Sequence, residues 1–238
     1  IGCDFVNTES KNIEDYTLLI VPPLYVASDS LLNRLNGFVK NGGHIVYAFK
    51  SGFCNENVQV RSIRMPGLLR EACGFSYQQF INIDKLKLKD DPFKTGENEN
   101  YVQDWAELIN PGTAKVLAYY DHPYWGKYAA ITQNSYGKGM ITYFGAFPSK
   151  AILQKLLIDA VKEAGLWTVD QQLSFPLIVK NGLNQYGKNI HYYFNYSNEQ
   201  HSLEYPNKSA TNLLTGENVD TNEKITLNPW DLVVIEEK

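Results

Sequence analysis

The 238-residue chain carries 22 basic and 26 acidic side chains, a formal charge of −4, so it offers no basic field for a phosphate backbone and nucleic acid is not an expected partner. No apolar run approaches the ~20 residues that a spanning helix needs, and the longest, Leu18 to Val26, is broken by Pro22 and Pro23, which argues against a membrane partner. Cys3, Cys54 and Cys73 are an odd number at no metal-ligand spacing, so they read as reduced structural thiols, in keeping with a cytoplasmic location.

The chain opens with Ile1-Gly2 rather than Met and shows no signal peptide, which suggests a natural amino terminus upstream. The run Tyr16 to Val21, closed by Pro22-Pro23, has the pattern of a strand buried on both faces, as in a parallel sheet. A helix should follow. Ser28 or Ser30 can cap it, Leu31, Leu32, Leu35, Phe38 and Val39 recur at helical spacing, and Gly42-Gly43 stops it. His44 to Phe49 is a second apolar strand, completing a strand-helix-strand unit with parallel strands.

Residues 50–65 lack periodicity and form a long excursion from the carboxyl end of that strand, the edge of an open α/β sheet where function usually sits. Pro66 to Ala72 fits a short helix ended by Gly74, and Asp84 to Asn100, with nine charged residues, reads as a surface loop. Lys115 to Tyr120, Ala129 to Gln133 and Met140 to Phe144 read as strands, the last two joined by a turn at Gly137-Lys138-Gly139. Ser149 then caps a helix whose apolar face is Ile152, Leu153, Leu156, Leu157, Ala160 and Val161, ending at Gly165.

After Trp167 the pattern changes to short strands and turns only. Candidates are Leu177 to Lys180, Ile190 to Asn195, Ser202 to Tyr205, Ala210 to Leu214, Lys224 to Leu227 and Leu232 to Glu236, separated by Asn181-Gly182, Tyr186-Gly187, Gly216 and Pro229. The expected organisation is an α/β domain over residues 1–168, built on a flavodoxin-like parallel sheet, followed by a small all-β sandwich over residues 174–238. A domain that small buries little apolar surface alone and should pack on a neighbour.

Four features could carry chemistry. Cys54 follows a strand, as a nucleophilic cysteine does in class I glutamine amidotransferases, and a hydrolase using it is one alternative. That chemistry needs a glycine-flanked elbow at a helix start and a histidine in reach, whereas Lys50-Ser51-Gly52-Phe53-Cys54-Asn55-Glu56 has no glycine after the cysteine. His44, His122, His191 and His201 show no metal-site pairing and read as structural or solvated. Trp105, Trp230 and the segment Asp121-His122-Pro123-Tyr124-Trp125 could stack on a sugar, the basis of a second alternative, a carbohydrate-binding module, although packing is the simpler role. The two facing carboxyl groups of a glycosidase commonly stand on an eight-fold barrel of about 250 residues, for which this chain has no room. No catalytic residue, cofactor or metal is expected.

Val21-Pro22-Pro23-Leu24-Tyr25-Val26-Ala27-Ser28, the capped helix, Gly42-Gly43 and the strand to Phe49 resemble the trimerisation domain of glycoside hydrolase family 42 beta-galactosidases. Further similar segments follow in the same order: Ser51-Gly52-Phe53-Cys54-Asn55-Glu56-Asn57, Met65-Pro66-Gly67-Leu68-Leu69-Arg70 with Gly74, Trp105-Ala106-Glu107, Ala114 to Ala118, and Asn134 to Gly139. Leu213-Leu214-Thr215-Gly216 and Leu227-Asn228-Pro229-Trp230-Asp231 are similar to the small β-domain that closes many glycosidases. The resemblance implies an amidotransferase-like assembly domain, a terminal sandwich, self-association as a homotrimer and an upstream barrel holding both catalytic glutamates, none of which maps onto this chain. The galactoside substrate, in a bacterial cytoplasm, would be met only through that barrel. The family also has a first strand and helix before the segment resembling Gly2 to Val6, and both are missing here.

Overall fold

The computed structural model describes residues 2–238; Ile1, the first residue of the expected α/β domain, lies outside the described residues. The chain divides into two compact units, one of residues 6–166 and one of residues 167–238 together with the described residues up to Phe5.

In the first unit, β1 (Leu18–Val21), α1 (Asp29–Lys40) and β2 (His44–Ala48) form the expected strand-helix-strand. Of the two candidate caps, Ser28 serves: its hydroxyl accepts from the Leu31 amide at 3.2 Å. At the other end Gly42 and Gly43 donate to Val39 and Phe38 carbonyls, and a Cβ on Gly43 would lie 2.0 Å from the Phe38 ring, so glycine is required there by packing. A 3₁₀ turn at Gly67–Leu69 runs into α2 (Arg70–Cys73), capped by Gly74 in the left-handed conformation. Then follow β3 (Phe75–Ser76), β4 (Phe80–Lys87), β5 (Tyr101–Glu107), β6 (Asn110–Pro111), β7 (Lys115–Tyr119), β8 (Ala129–Tyr136), β9 (Gly139–Phe144), β10 (Ala146–Pro148) and α3 (Lys150–Glu163), the last capped by Ser149.

The main sheet has the order β1-β2-β9-β8-β7 and is mixed: β1, β2 and β9 pair in parallel, while β8 runs antiparallel to both of its neighbours, β9 and β7. Alternation along β2 sorts its side chains to two faces. Ile45 and Tyr47 join a core with α1 and α2, whereas Val46 and Ala48 join a second core with α3 and β5. β1 departs from expectation. Among the described residues it is the sheet's edge strand, and Ile20 is 52% exposed rather than buried on both faces.

The stretch expected as a loop from Asp84 is also different. β4 runs through Lys87 and pairs with β5, and β10-β5-β4 forms a second, antiparallel sheet. Its alternation is legible afterwards: Ile81, Ile83 and Leu86 pack against the second core while the charged side chains between them face outward, with a bulge at Ile83/Lys85.

The second unit is all β apart from a 3₁₀ turn at Val169–Gln172. β11 (Leu177–Leu183), β12 (Asn189–Asn195), β13 (His201–Glu204), β14 (Ala210–Asn212), β15 (Asn218–Val219), β16 (Lys224–Leu227) and β17 (Leu232–Glu237) make a five-stranded sheet, β11-β12-β17-β14-β15, and a β13-β16 pair. Tyr193, Leu203, Tyr205, Ala210, Leu227 and Ile235 form the core between them. Asn181-Gly182, expected as a turn, lies inside β11; the reversal comes at Asn184 to Lys188, where the Asn184 side chain accepts from the Tyr186 and Lys188 amides.

Candidate assembly surface at the carboxyl edge of the sheet

The excursion after β2 is an ordered layer. Val26 bridges Cys54 in parallel and Cys54 bridges Val60 in antiparallel, so residues 24–27, 53–55 and 59–61 lie side by side beyond the carboxyl ends of β1 and β2. Arg61 fastens this layer to the start of α1, its guanidinium donating to the Ala27 carbonyl at 2.7 Å and to Asp29. Aromatic rings continue the surface: Tyr25 stacks on Phe53, Phe53 meets Phe80 edge-on, and Phe80 stacks on Trp105 at 4.2 Å. Tyr25, Val26, Val58, Val60, Ile63 and Phe80 are all exposed. Apolar and aromatic side chains concentrated on one surface are the composition of an interface centre.

Beneath the rings sits Glu107, fully buried at the end of β5. Its Oε1 accepts from the Lys50 amide at 2.8 Å and its Oε2 from the Tyr143 hydroxyl at 2.8 Å, while Tyr120 donates to its backbone carbonyl. Burial pushes the carboxyl up to about 7, against the lowering effect of these donors, because none of them carries a charge. Lys50 holds a left-handed φ of +60° at the turn after β2, and its ammonium lies 3.8 Å from the centre of the Trp105 ring. The network fixes the base of the aromatic ladder. Sequence reading passed over Glu107 as part of a similar segment; its position at the end of a strand bearing Trp105 was the only signal.

The residues singled out for chemistry are dispersed. Cys54 is completely buried within the three-segment layer, no helix begins there, and the left-handed turn after β2 carries Lys50 instead, so the exposed nucleophile that the hydrolase alternative needs is not present. His44 is buried and bonded through Nε2 to Thr142, with burial holding its pKa below the usual value. The Nδ1 of His122 accepts from the amides of Tyr124 and Trp125, and its ring stacks on Trp125 at 3.9 Å. His201 lies half-buried in β13, and His191 is buried in β12. Trp105 has one face covered by Phe80 and carries the Lys50 ammonium over its ring, whereas Trp230 is 69% exposed. Gly137-Lys138-Gly139 is a tight hairpin turn pressed on α1, where a Cβ at Gly137 would meet the Lys40 carbonyl at 2.5 Å. Among the described residues no helix is long and apolar enough to cross a membrane, and no cluster of side chains suits a metal ion.

The family model described as the beta-galactosidase trimerisation domain matches residues 1–167, and that of the beta-galactosidase C-terminal domain matches residues 191–237. Among curated proteins the chain is 28% identical to a beta-galactosidase of Lactobacillus acidophilus over 99% of its own length and 34% of the relative's. It is 32% identical to one from a Geobacillus species over 66% of this chain and 23% of the relative. The chain therefore spans about a third or less of the relatives it matches. Among solved structures, the beta-galactosidase of Bacillus circulans superposes with a TM-score of 0.77 at 23% identity, covering 97% of this chain and 34% of that one, and so shares its fold. The enzyme of Rahnella sp. R3 gives 0.77 at 20% identity, over 99% and 34% of the two chains.

Proposed function

Because the chain belongs to the beta-galactosidase trimerisation-domain family, within glycoside hydrolase family 42, we propose that it is the non-catalytic assembly and carboxy-terminal portion of an enzyme that hydrolyses terminal β-D-galactosides. The catalytic barrel and its glutamates belong to an upstream part of the same polypeptide, in a bacterial cytoplasm. In this reading residues 1–168 form an amidotransferase-like, flavodoxin-type domain that holds three copies together, residues 174–238 form the terminal sandwich, and neither supplies a catalytic residue. The three parallel strands with helices on both faces support the flavodoxin-type description. Two buried cysteines and one exposed, all unpaired, support the location.

The observation that carries the assembly role is the ordered, apolar carboxyl-edge surface of Tyr25, Val26, Val58, Val60, Ile63 and Phe80. A closed ring of three needs a head-to-tail contact in which this surface meets a different one on the next copy. Val58→Asp combined with Val60→Asp tests it: both side chains are exposed, so the fold should persist by circular dichroism while sedimentation reports single chains. Unchanged association would remove this surface from the contact. The chain should also leave a chromogenic β-galactoside intact, and turnover above the buffer rate would refute its non-catalytic character.

A further inference from the structure

The all-β unit contains a buried ionic cluster that the assembly role does not use. His191, on β12, has its Nε2 2.9 Å from Oε1 of Glu237 and its Nδ1 2.8 Å from Oδ1 of Asn181. Asn181 is oriented by its own amide nitrogen, which donates to Asp170 Oδ2 at 3.4 Å and so turns its carbonyl oxygen to the ring. Asp170 Oδ2 itself stands 3.6 Å from Nδ1. Both ring nitrogens thus face oxygen acceptors. A neutral imidazole has one N–H and one lone pair and satisfies only one of them; an imidazolium donates to both. The Asn207 amide, 3.5 Å from Nδ1, is at the outer limit of a hydrogen bond and is shared with the Tyr193 hydroxyl.

The partners come from separate elements. Asp170 lies in the 3₁₀ turn between α3 and β11, Asn181 in β11, and Glu237 at the last residue of β17. We propose that protonated His191 is the pin of a pH-operated latch, which holds the 169–172 turn and the end of β17 to the sheet and releases them when the ring loses its proton to solvent. After that loss the ring keeps one N–H, one acceptor loses its donor, and two carboxylates remain beside it without their cation. This proposal is independent of the assembly reading.

The charged and titratable groups facing the ring agree with it. Tyr193 donates to Asp170 Oδ1 at 3.0 Å, Tyr205 meets the ring edge-on, and Lys208 favours the charged form of Glu237. Burial works against charge on His191, but the nearby Asp170 and Glu237 carboxylates outweigh it and raise the ring's pKa above the ordinary value of about 6.5. Burial likewise works against both carboxylates, and their hydrogen bonds hold them below their usual range. The histidine's contribution is therefore complete below about pH 6.5 and is lost as pH rises through the raised value; the carboxylates' contribution is lost only in acid. The latch is closed from mildly acidic to near-neutral pH and opens above that.

Ring resonances of the isotopically labelled full chain give the pKa of His191 directly, and hydrogen-exchange protection of residues 167–174 and 234–238 gives the release. Protection should fall about tenfold for each unit by which the ring's pKa exceeds that of a free histidine. In His191→Gln, protection of these segments should be low and independent of pH between 6 and 9. A ring that is neutral throughout, or that titrates at or below the ordinary value, would overturn the proposal without reliance on any variant. So would protection that does not follow the ring's titration.

Discussion

Each unit of the chain buries ionisable groups, and they behave in opposite ways. Glu107 is surrounded by donors that are all neutral, so burial dominates and its carboxyl rises to about 7. Asp170, buried, and Glu237, half-buried, lie beside a histidine that can carry a proton, and their carboxyls fall below the usual range. The difference teaches that complete burial among neutral donors favours the protonated carboxyl of Glu107, whereas a histidine partner for Asp170, and Asn189 followed by that histidine for the less buried Glu237, favour the ionised form. It also sets opposed pH responses. Glu107 binds its proton more tightly in the folded chain, so stability falls as pH rises from about 4.5 to about 7, by on the order of 3 kcal/mol. The all-β cluster keeps its stabilisation up to about pH 6.5 and loses it as pH rises through the raised value of His191.

The largest test of this contrast is Asp170→Ala, which leaves the His191 cation without the more deeply buried of its two carboxylates. It should lower the unfolding free energy of the all-β unit at pH 6 by about 3 kcal/mol, read by denaturant titration. Next is Glu107→Gln, a neutral isostere whose amide nitrogen can donate to the Tyr143 hydroxyl once that hydroxyl turns. Relative to the unaltered chain it should cost up to about 1 kcal/mol at pH 5 and become stabilising at pH 8, where the native carboxylate is charged. An equal effect at both pH values would sink the account of Glu107. Tyr143→Phe removes one donor from the Glu107 carboxylate at 2.8 Å and should cost roughly 1.5 kcal/mol, more at pH 8 than at pH 5. Ser28→Ala sets the baseline, a partly buried helix cap whose loss should cost about 1 kcal/mol at either pH.

Much of the fold was legible because it depends on local pattern. The α1 and α3 caps, the glycine stop at residues 42–43 and most β strands of the second unit follow from periodicity and turn chemistry. β4 was hidden because its outward face is charged and its inward residues are too few to dominate the composition. The exposure of Ile20 was hidden because an apolar run does not reveal whether its strand has one neighbour or two. The site was less legible than the fold. Glu107 and Lys50 are 57 positions apart, and Asp170, His191 and Glu237 come from three elements, so no spacing rule joins them. His191 looked like an ordinary alternating strand residue because its partners meet only after the sheet has formed.

Light scattering on the purified chain tests the assembly claim most directly. Three copies held through the carboxyl-edge surface should give a stable mass near three times 27.1 kDa at micromolar concentration. A mass of 27.1 kDa, unchanged as concentration rises, would contradict the claim that this region carries the trimer contacts.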